Sequence, residues 1–287
     1  MDELLQALVE GLLIGSTYGL VALGMGLVYG VSGVVNFAHG DFILLGMYVC
    51  LALYSAFALD PYVSLIVTLP VMTLVGALVY RFLIRPIADQ HLLMVVQLTL
   101  GLALVIQNGV LMLFGGQPQR TPSIVEAKLF VVGDVVLRGP QVIAAVISFA
   151  LAGVLFVILR STDIGRSIRA VHQNARAAAL MGIDVGQVQT ITFAMGIGIV
   201  AVAAALLSPG ASIQPSDGLR YTVTTLLVIV LGGMTDFAGI MLGGLIIGCA
   251  EALGTVYLSE TLGTLLPYAI FVLIMLFRPR GLSWGTG

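Results

Sequence analysis

Apolar runs about as long as a bilayer is thick recur along this chain, at 5–31, 42–59, 62–84, 92–114, 141–159 and 188–208. Three less regular runs follow: 221–234 is short for a crossing, 239–258 is adequate, and 262–277 is short but stops at Arg278-Pro279-Arg280. The pattern predicts an all-α polytopic membrane protein of eight or nine transmembrane helices, with residues 1–287 forming one transmembrane domain. Composition agrees: 59% of the residues are hydrophobic, 9% are charged, and the mean hydropathy is +1.11. A soluble domain carries roughly 25% charge because its surface faces water, so charge this sparse belongs to a chain solvated by lipid.

Arginine sets the expected orientation. Arg81 and Arg85 share one polar segment, Arg160, Arg166, Arg169 and Arg176 a second, and Arg278 and Arg280 the C-terminal tail. The positive-inside rule makes all three cytoplasmic. Nine crossings place them on one side, with the N-terminus and the acidic Asp2, Glu3, Asp60, Asp217 and Glu260 on the other. An eight-span count, with 221–234 as a re-entrant feature, separates them. The N-terminus lacks a basic n-region, and its apolar run is too long for a signal peptide, so the first span is expected to persist in the mature protein. A net charge of −2 leaves no basic stripe for nucleic acid. Cys50 and Cys249 sit inside apolar runs and outline neither a disulfide framework nor a metal cluster.

Between the fourth and fifth runs, residues 115–139 form a polar segment on the outer face. The Gly133-Asp134 pair between short β-branched stretches predicts a hairpin, with a plain connector as the alternative. Glycine, 35 residues in all, predicts the packing faces. Gly11, Gly15 and Gly19 share one face of the first span, and Gly239 with Gly243 and Gly244 with Gly248 form two further pairs.

The apolar pattern fails at two places that carry candidate chemistry. One holds Asn36, Phe37, His39, Gly40 and Asp41; the other holds Gly232, Gly233, Asp236 and Phe237. Both contain Phe-Ala followed by glycine ahead of a Gly-rich run, which suggests interrupted helices and an internal repeat. Backbone freed from a helix survives in a bilayer only when buried in protein or lining a wet cavity, so both breaks are candidate substrate pathway. The bland alternative for the first is a cytoplasmic turn, with Asn36 ending a helix and Asp41 capping the next. No third ligand accompanies His39 and Asp41, so no metal site is assigned. Gln97, Gln107, Asn108 and Glu251 are polar groups expected to bond across helices.

The long polar segment at 161–186 predicts an amphipathic cytoplasmic helix: Ile164, Ile168, Val171, Ala175 and Ala178 on one face, Arg166, Arg169, Gln173 and Arg176 on the other. Thr162 or Asp163 is suited to begin it, Gly182 to end it, and Asp184 to cap a following turn. Its lack of aromatic anchors makes lipid-surface insertion the weakest of its roles, against docking to a soluble partner or simply obeying the positive-inside rule.

Three stretches, VNFAHGDFILLGMY (35–48), GRSIRAVHQNARAAALMGID (165–184) and VIVLGGMTDFAGIMLGGLIIG (228–248), resemble permease subunits of bacterial branched-chain amino acid ABC importers of the high-affinity leucine, isoleucine and valine type. The resemblance runs over essentially the whole chain. It departs at Thr235-Asp236, where such permeases more often carry Gly-Ser or Gly-Thr. It implies an inner-membrane subunit that moves branched-chain amino acids beside a second permease subunit, two cytoplasmic ATPase subunits and a periplasmic amino acid-binding protein. The 165–182 helix then becomes the coupling element, with Gly165, Arg166, Arg169, Ala170, Asn174, Ala178, Met181 and Gly182 at the ATPase contact. No G-x-x-x-x-G-K-[ST] loop is present, and the only lysine is Lys128, so this subunit is expected to be no enzyme, with ATP and magnesium held by the partner ATPases. An ion-coupled secondary transporter using Asp41, Asp236 or Glu251 is the competing reading. An intramembrane enzyme finds no motif.

Overall fold

The computed structural model describes residues 2–277 apart from 89, 134 and 259; Asp134, Arg278 and Arg280 lie outside the described residues. Ten α-helices dominate the described residues: α1 Asp2–Ser32, α2 His39–Phe57, α3 Pro61–Val79, α4 Leu92–Phe114, α5 Gly139–Ser161, α6 Asp163–Leu180, α7 Val185–Leu207, α8 Gly218–Gly232, α9 Phe237–Tyr257 and α10 Glu260–Phe277. Seven of them are long and apolar enough to cross a bilayer: α1 to α5, α7 and α9. The short α8, 15 residues, and the apolar 262–277 part of α10 complete the nine runs read from the sequence. Helix boundaries fall where local chemistry requires. Asp60 accepts from the Tyr62 N–H ahead of Pro61, Thr162 from the Gly165 N–H, and Asp184 from the Gln187 N–H.

The small strands are β1 Gln119–Arg120, β2 Leu129–Val132, β3 Val135–Arg138 and β4 Ser212–Ile213. β2 and β3 pair antiparallel around Gly133, whose φ of +63° only glycine adopts readily, so the expected hairpin is present. The Gln6 side chain accepts from the Val136 N–H and donates to its carbonyl, which puts the start of α1 at the hairpin end. The opposite end collects arginine: Arg85 lies against Gly186, and Arg160 and Arg169 line one cavity with Gly30. Arg85, Arg160 and Arg169 thus lie at one end of the bundle, while Arg120 and Arg138 lie with the hairpin at the other.

Glycine fixes the helix contacts. A β-carbon added at Gly11 would lie 2.5 Å from Cys249 Cα, and one at Gly15 2.6 Å from the Gly244 carbonyl oxygen, so α1 and α9 run antiparallel with backbones touching. Gly244 and Gly248 face α1, whereas Gly239 and Gly243 face α8; the two predicted pairs serve two different neighbours. Likewise α7 runs antiparallel along α3, with Gly198 on Thr73, Ile197 on Gly76 and Phe193 on Tyr80. α1 and α7 cross where Gly24 and Gly196 face each other.

These contacts map onto themselves when α1 is exchanged with α7, α2 with α8 and α3 with α9. α1 runs from the hairpin end to the arginine end and α7 the reverse way, so the repeat is inverted. This corrects the correspondence drawn from sequence. The counterpart of the break after α1 is the segment 208–217 after α7, because inversion puts it at the opposite end of the bundle, and not the segment 233–236.

Replacing Gly244 by Leu is expected to abolish recovery of folded protein, measured by detergent-solubilised size exclusion and thermal unfolding. Gly101→Leu, where an added β-carbon meets nothing within 4 Å, is expected to leave both unchanged.

Candidate functional site

α1 ends at Ser32, and Gly33, with φ +67°, turns the chain. Residues 33–38 then run back alongside α1, and α2 starts inside the bundle. The His39 ring Nε2 lies 3.1 Å from the Val21 carbonyl, eleven residues and so about 16 Å back along α1 from its end. Six extended residues span at most about 20 Å, which is sufficient. Asn36 Oδ1 accepts from the Ala38 N–H at 3.0 Å, and the Asn36 carbonyl from the His39 N–H at 3.2 Å.

α8 begins at the same depth from the other side. The Gly40 N–H donates to Thr222 Oγ1 at 2.9 Å, and that hydroxyl donates to the Phe37 carbonyl at 3.1 Å. A β-carbon at Gly40 would overlap the Gly218 carbonyl, and one at Gly218 would overlap the Asp41 carboxylate. Asp41 Oδ1 accepts from Gln107 Nε2 of α4 at 2.9 Å. Two helix N-termini thus meet inside the protein, where unsatisfied N–H groups are costly and side chains supply the acceptors.

The cytoplasmic-turn alternative fails on burial: Asn36, His39, Gly40 and Asp41 are all buried. Asp41 is not a cap, since it lies inside the first turn of α2 and its carboxylate is held by Gln107. Buried beside these bonds, Asn36 Nδ2, His39 Nδ1 and the Tyr48 hydroxyl have no protein partner.

The second predicted break is of another kind. Gly232 ends α8, Gly233 takes φ +95°, and Asp236 caps α9 by accepting from the Ala238 N–H at 3.2 Å. Thr235 is exposed and Phe237 half-buried. This is a tight turn at the arginine end, closed by the contact of Gly232 with Gly239. No hydrogen bond joins it to the Asn36–Asp41 segment among the described residues; His39 sits at Gly24 of α1, and Met234 at Gly26. Thr222, Gly218 and Arg220 were missed from sequence, although the polar, Gly- and Pro-containing run 208–217 ahead of a short apolar helix was the available signal.

α6 differs from its prediction in two respects. Its buried stripe is Gly165, Ile168, Val171 and Ala178, with Ile164 and Ala175 exposed. It also breaks at Asn174, whose φ of −161° and ψ of +99° are extended and whose side chain caps the second piece through the Ala177 N–H. Gly165 is buried where α6 folds back on α5, too close to the Ile158 and Leu159 carbonyls for any side chain. Arg166 pairs with Asp163, Ala170 is half-buried, and Arg169 faces outward. Gly182 takes φ +85° as expected. Leu180 and Met181 project at the tip, 88% and 83% exposed. His172 Nδ1 contacts the Gly30 carbonyl, tying α6 to the last turn of α1 beside the break. A cavity of about 580 Å³ lies under this contact, lined by Gly30, Arg160, Arg169, His172, Thr235 and Phe237.

Of the other polar groups, Glu251 accepts from the Tyr18 hydroxyl at 2.8 Å and pairs with Arg220 at 3.5 Å. Asn108 donates to its own helix at Leu104. No group of three metal-ligating side chains exists among the described residues.

Helices that start inside a bundle, an inverted repeat and a polar crossing at its centre define a membrane permease. The chain belongs to the family described as branched-chain amino acid transport system / permease component, whose model matches residues 7–275. It is 30% identical to the high-affinity branched-chain amino acid transport system permease protein BraD of Pseudomonas aeruginosa, over 97% of this chain and 95% of that one. It is 31% identical to LivH of Escherichia coli, over 97% and 94%, and 30% identical to the probable LivH of Methanocaldococcus jannaschii, over 92% and 87%. No solved structure matches.

Replacing Gln107 by Leu removes the donor to Asp41 and is expected to lower stability by about 1–3 kcal/mol. Thermal unfolding in detergent measures it, and adding Asp41→Asn is expected to recover part of the loss.

Proposed function

We propose that this chain is the membrane-spanning subunit of an ATP-driven importer for branched-chain amino acids in a bacterial inner membrane. It works beside a second permease subunit, two cytoplasmic ATPase subunits that hold ATP and magnesium, and a periplasmic amino acid-binding protein. The arginine end faces the cytoplasm, together with the C-terminus, and the hairpin end with the N-terminus faces the periplasm. The names of the relatives support the substrate class.

The observation that carries the reading is α6. It is seated on the bundle through Gly165, Ile168 and Val171, presents Leu180 and Met181 to the arginine-end surface, and reaches Gly30 through His172. An exposed apolar tip on a seated helix suits a groove in a soluble partner. Displacement of α6 by the closing ATPases would be passed by His172 to the end of α1 and so to residues 33–41. Substrate then passes the crossing of α2 with α8, at Asn36, Phe37, His39, Gly40 and Asp41. Gly232, Gly233, Asp236 and Phe237 act at the cytoplasmic exit beside the α6 cavity.

The secondary-transport alternative draws no support. Asp41 is bonded to Gln107, Asp236 caps α9, and Glu251 is held by Tyr18 and Arg220, so each of the three carboxylates that reading invokes already has a structural partner.

The double variant Leu180→Glu with Met181→Glu is expected to reach the membrane at normal levels but to lose ATP-dependent leucine uptake by about ten-fold or more, since two charges enter an apolar contact. Uptake into vesicles with the complete transporter measures it; unchanged uptake refutes the docking role.

A further inference from the structure

The hairpin end contains a second cavity, about 670 Å³, that neither the crossing nor α6 explains. That volume lies in the range of roughly 300–1,000 Å³ typical of small-molecule sites. Three guanidinium groups border it: Arg120 of β1, Arg138 of β3 and Arg220 of α8. Arg220 is paired with Glu251, but among the described residues no carboxylate lies within 4 Å of Arg120 or Arg138. Glu126, likewise without an ion pair, borders the same cavity. The remaining wall is partly apolar, with Leu13, Ile14, Leu206 and Leu207.

Below the cavity the path narrows to a void of about 10 Å³ between Tyr18, Val21, Leu207, Tyr221, Thr224 and Thr225. A space of that size barely holds one water, so the floor is shut. It lies against Val21, whose carbonyl receives His39 of the break. The cavity therefore stands on the hairpin-end approach to the crossing, sharing Tyr18, Leu207, Tyr221 and Thr224 with the closed void beneath it.

We propose that this cavity is a binding station for a zwitterionic apolar amino acid before the crossing opens. The carboxylate is taken by Arg138 and Arg120, while Arg220 stays paired with Glu251 at the cavity wall. The ammonium is taken by Glu126, and the alkyl chain lies against Leu13, Ile14 and Leu206. Guanidinium groups match a carboxylate in planar, paired hydrogen bonds, and the excess of positive over negative groups orients the substrate carboxylate first. The station rests on the permease reading above, and supplies it with a substrate contact inside this subunit rather than in a soluble binding protein.

The test uses the assembled transporter in lipid nanodiscs with no soluble binding protein, and radiolabelled L-leucine as probe. Saturable binding is expected, displaced by unlabelled leucine but not by leucinamide, which lacks the carboxylate, nor by 4-methylpentanoate, which lacks the ammonium. Arg138→Gln and Arg120→Gln are each expected to weaken binding by about ten-fold, the loss of a charge-assisted pair. Lys128→Gln, outside the cavity lining, is expected to leave it unchanged. Displacement by leucinamide as effective as by leucine, or wild-type affinity in both arginine variants, overturns the station. ATP-dependent leucine uptake by the same complex with binding protein present separates the two claims: uptake without direct binding overturns the station alone, and absence of leucine uptake in the wild type overturns the permease reading with it.

Discussion

A helix that starts inside a membrane protein presents N–H groups that neither lipid nor its own backbone satisfies. Here two such starts, on α2 and α8, are placed against each other, and one hydroxyl, Thr222 Oγ1, bridges them by accepting from Gly40 and donating to Phe37. The approach is close enough that a β-carbon on either Gly40 or Gly218 would overlap the opposing element. Much of the architecture is arranged around this crossing. Residues 33–38 must run back along α1 to reach it, and 208–217 must turn inward from the end of α7. α4 must bring Gln107 to the Asp41 carboxylate that the crossing buries.

The same dependence on close backbone contact runs outward from the centre. Lipid tails are as apolar as leucine, so helices gain little by hiding apolar surface from them and associate through packing. α1 is the element most engaged. It meets α9 through Gly11 and Gly15, α7 through Gly24, and α6 through the Gly30 carbonyl. Both cavities discussed above open along α1, one near Leu13 to Tyr18 and the other near Gly26 to Val31, with the closed Tyr18–Val21 layer between them. α1 thus borders a space at each end and is held by α6 at one of them.

Much of this was legible from periodicity. The nine apolar runs recur as helices whose ends shift by a few residues, and the Gly133-centred hairpin stands where β-branched stretches flank a glycine. Gly182 and Asp184 end and restart helices as their conformational and capping preferences require. Where reading by local pattern failed, the cause was nonlocal. The motif around Asn36 and the motif around Gly233 look alike in sequence, yet one is buried at a helix crossing and the other is a turn. What separates them is the company they keep: Thr222, Gly218 and Gln107 lie at least 66 positions from Asp41 and gather only on folding.

The sequence by itself therefore determined that the chain is a polytopic helical membrane protein, because hydrophobic run length acts residue by residue. It also marked the glycine faces, since small residues at four-residue spacing need no partner to be recognised. Tertiary structure alone decided which glycine faced which helix, that the repeat is inverted, that α6 breaks at Asn174, and that Arg120, Arg138 and Arg220 border one cavity. Apart from the Asn174 break, each of these depends on contacts between segments far apart in the chain, and inversion reverses chain direction, so like surroundings need not carry like sequence.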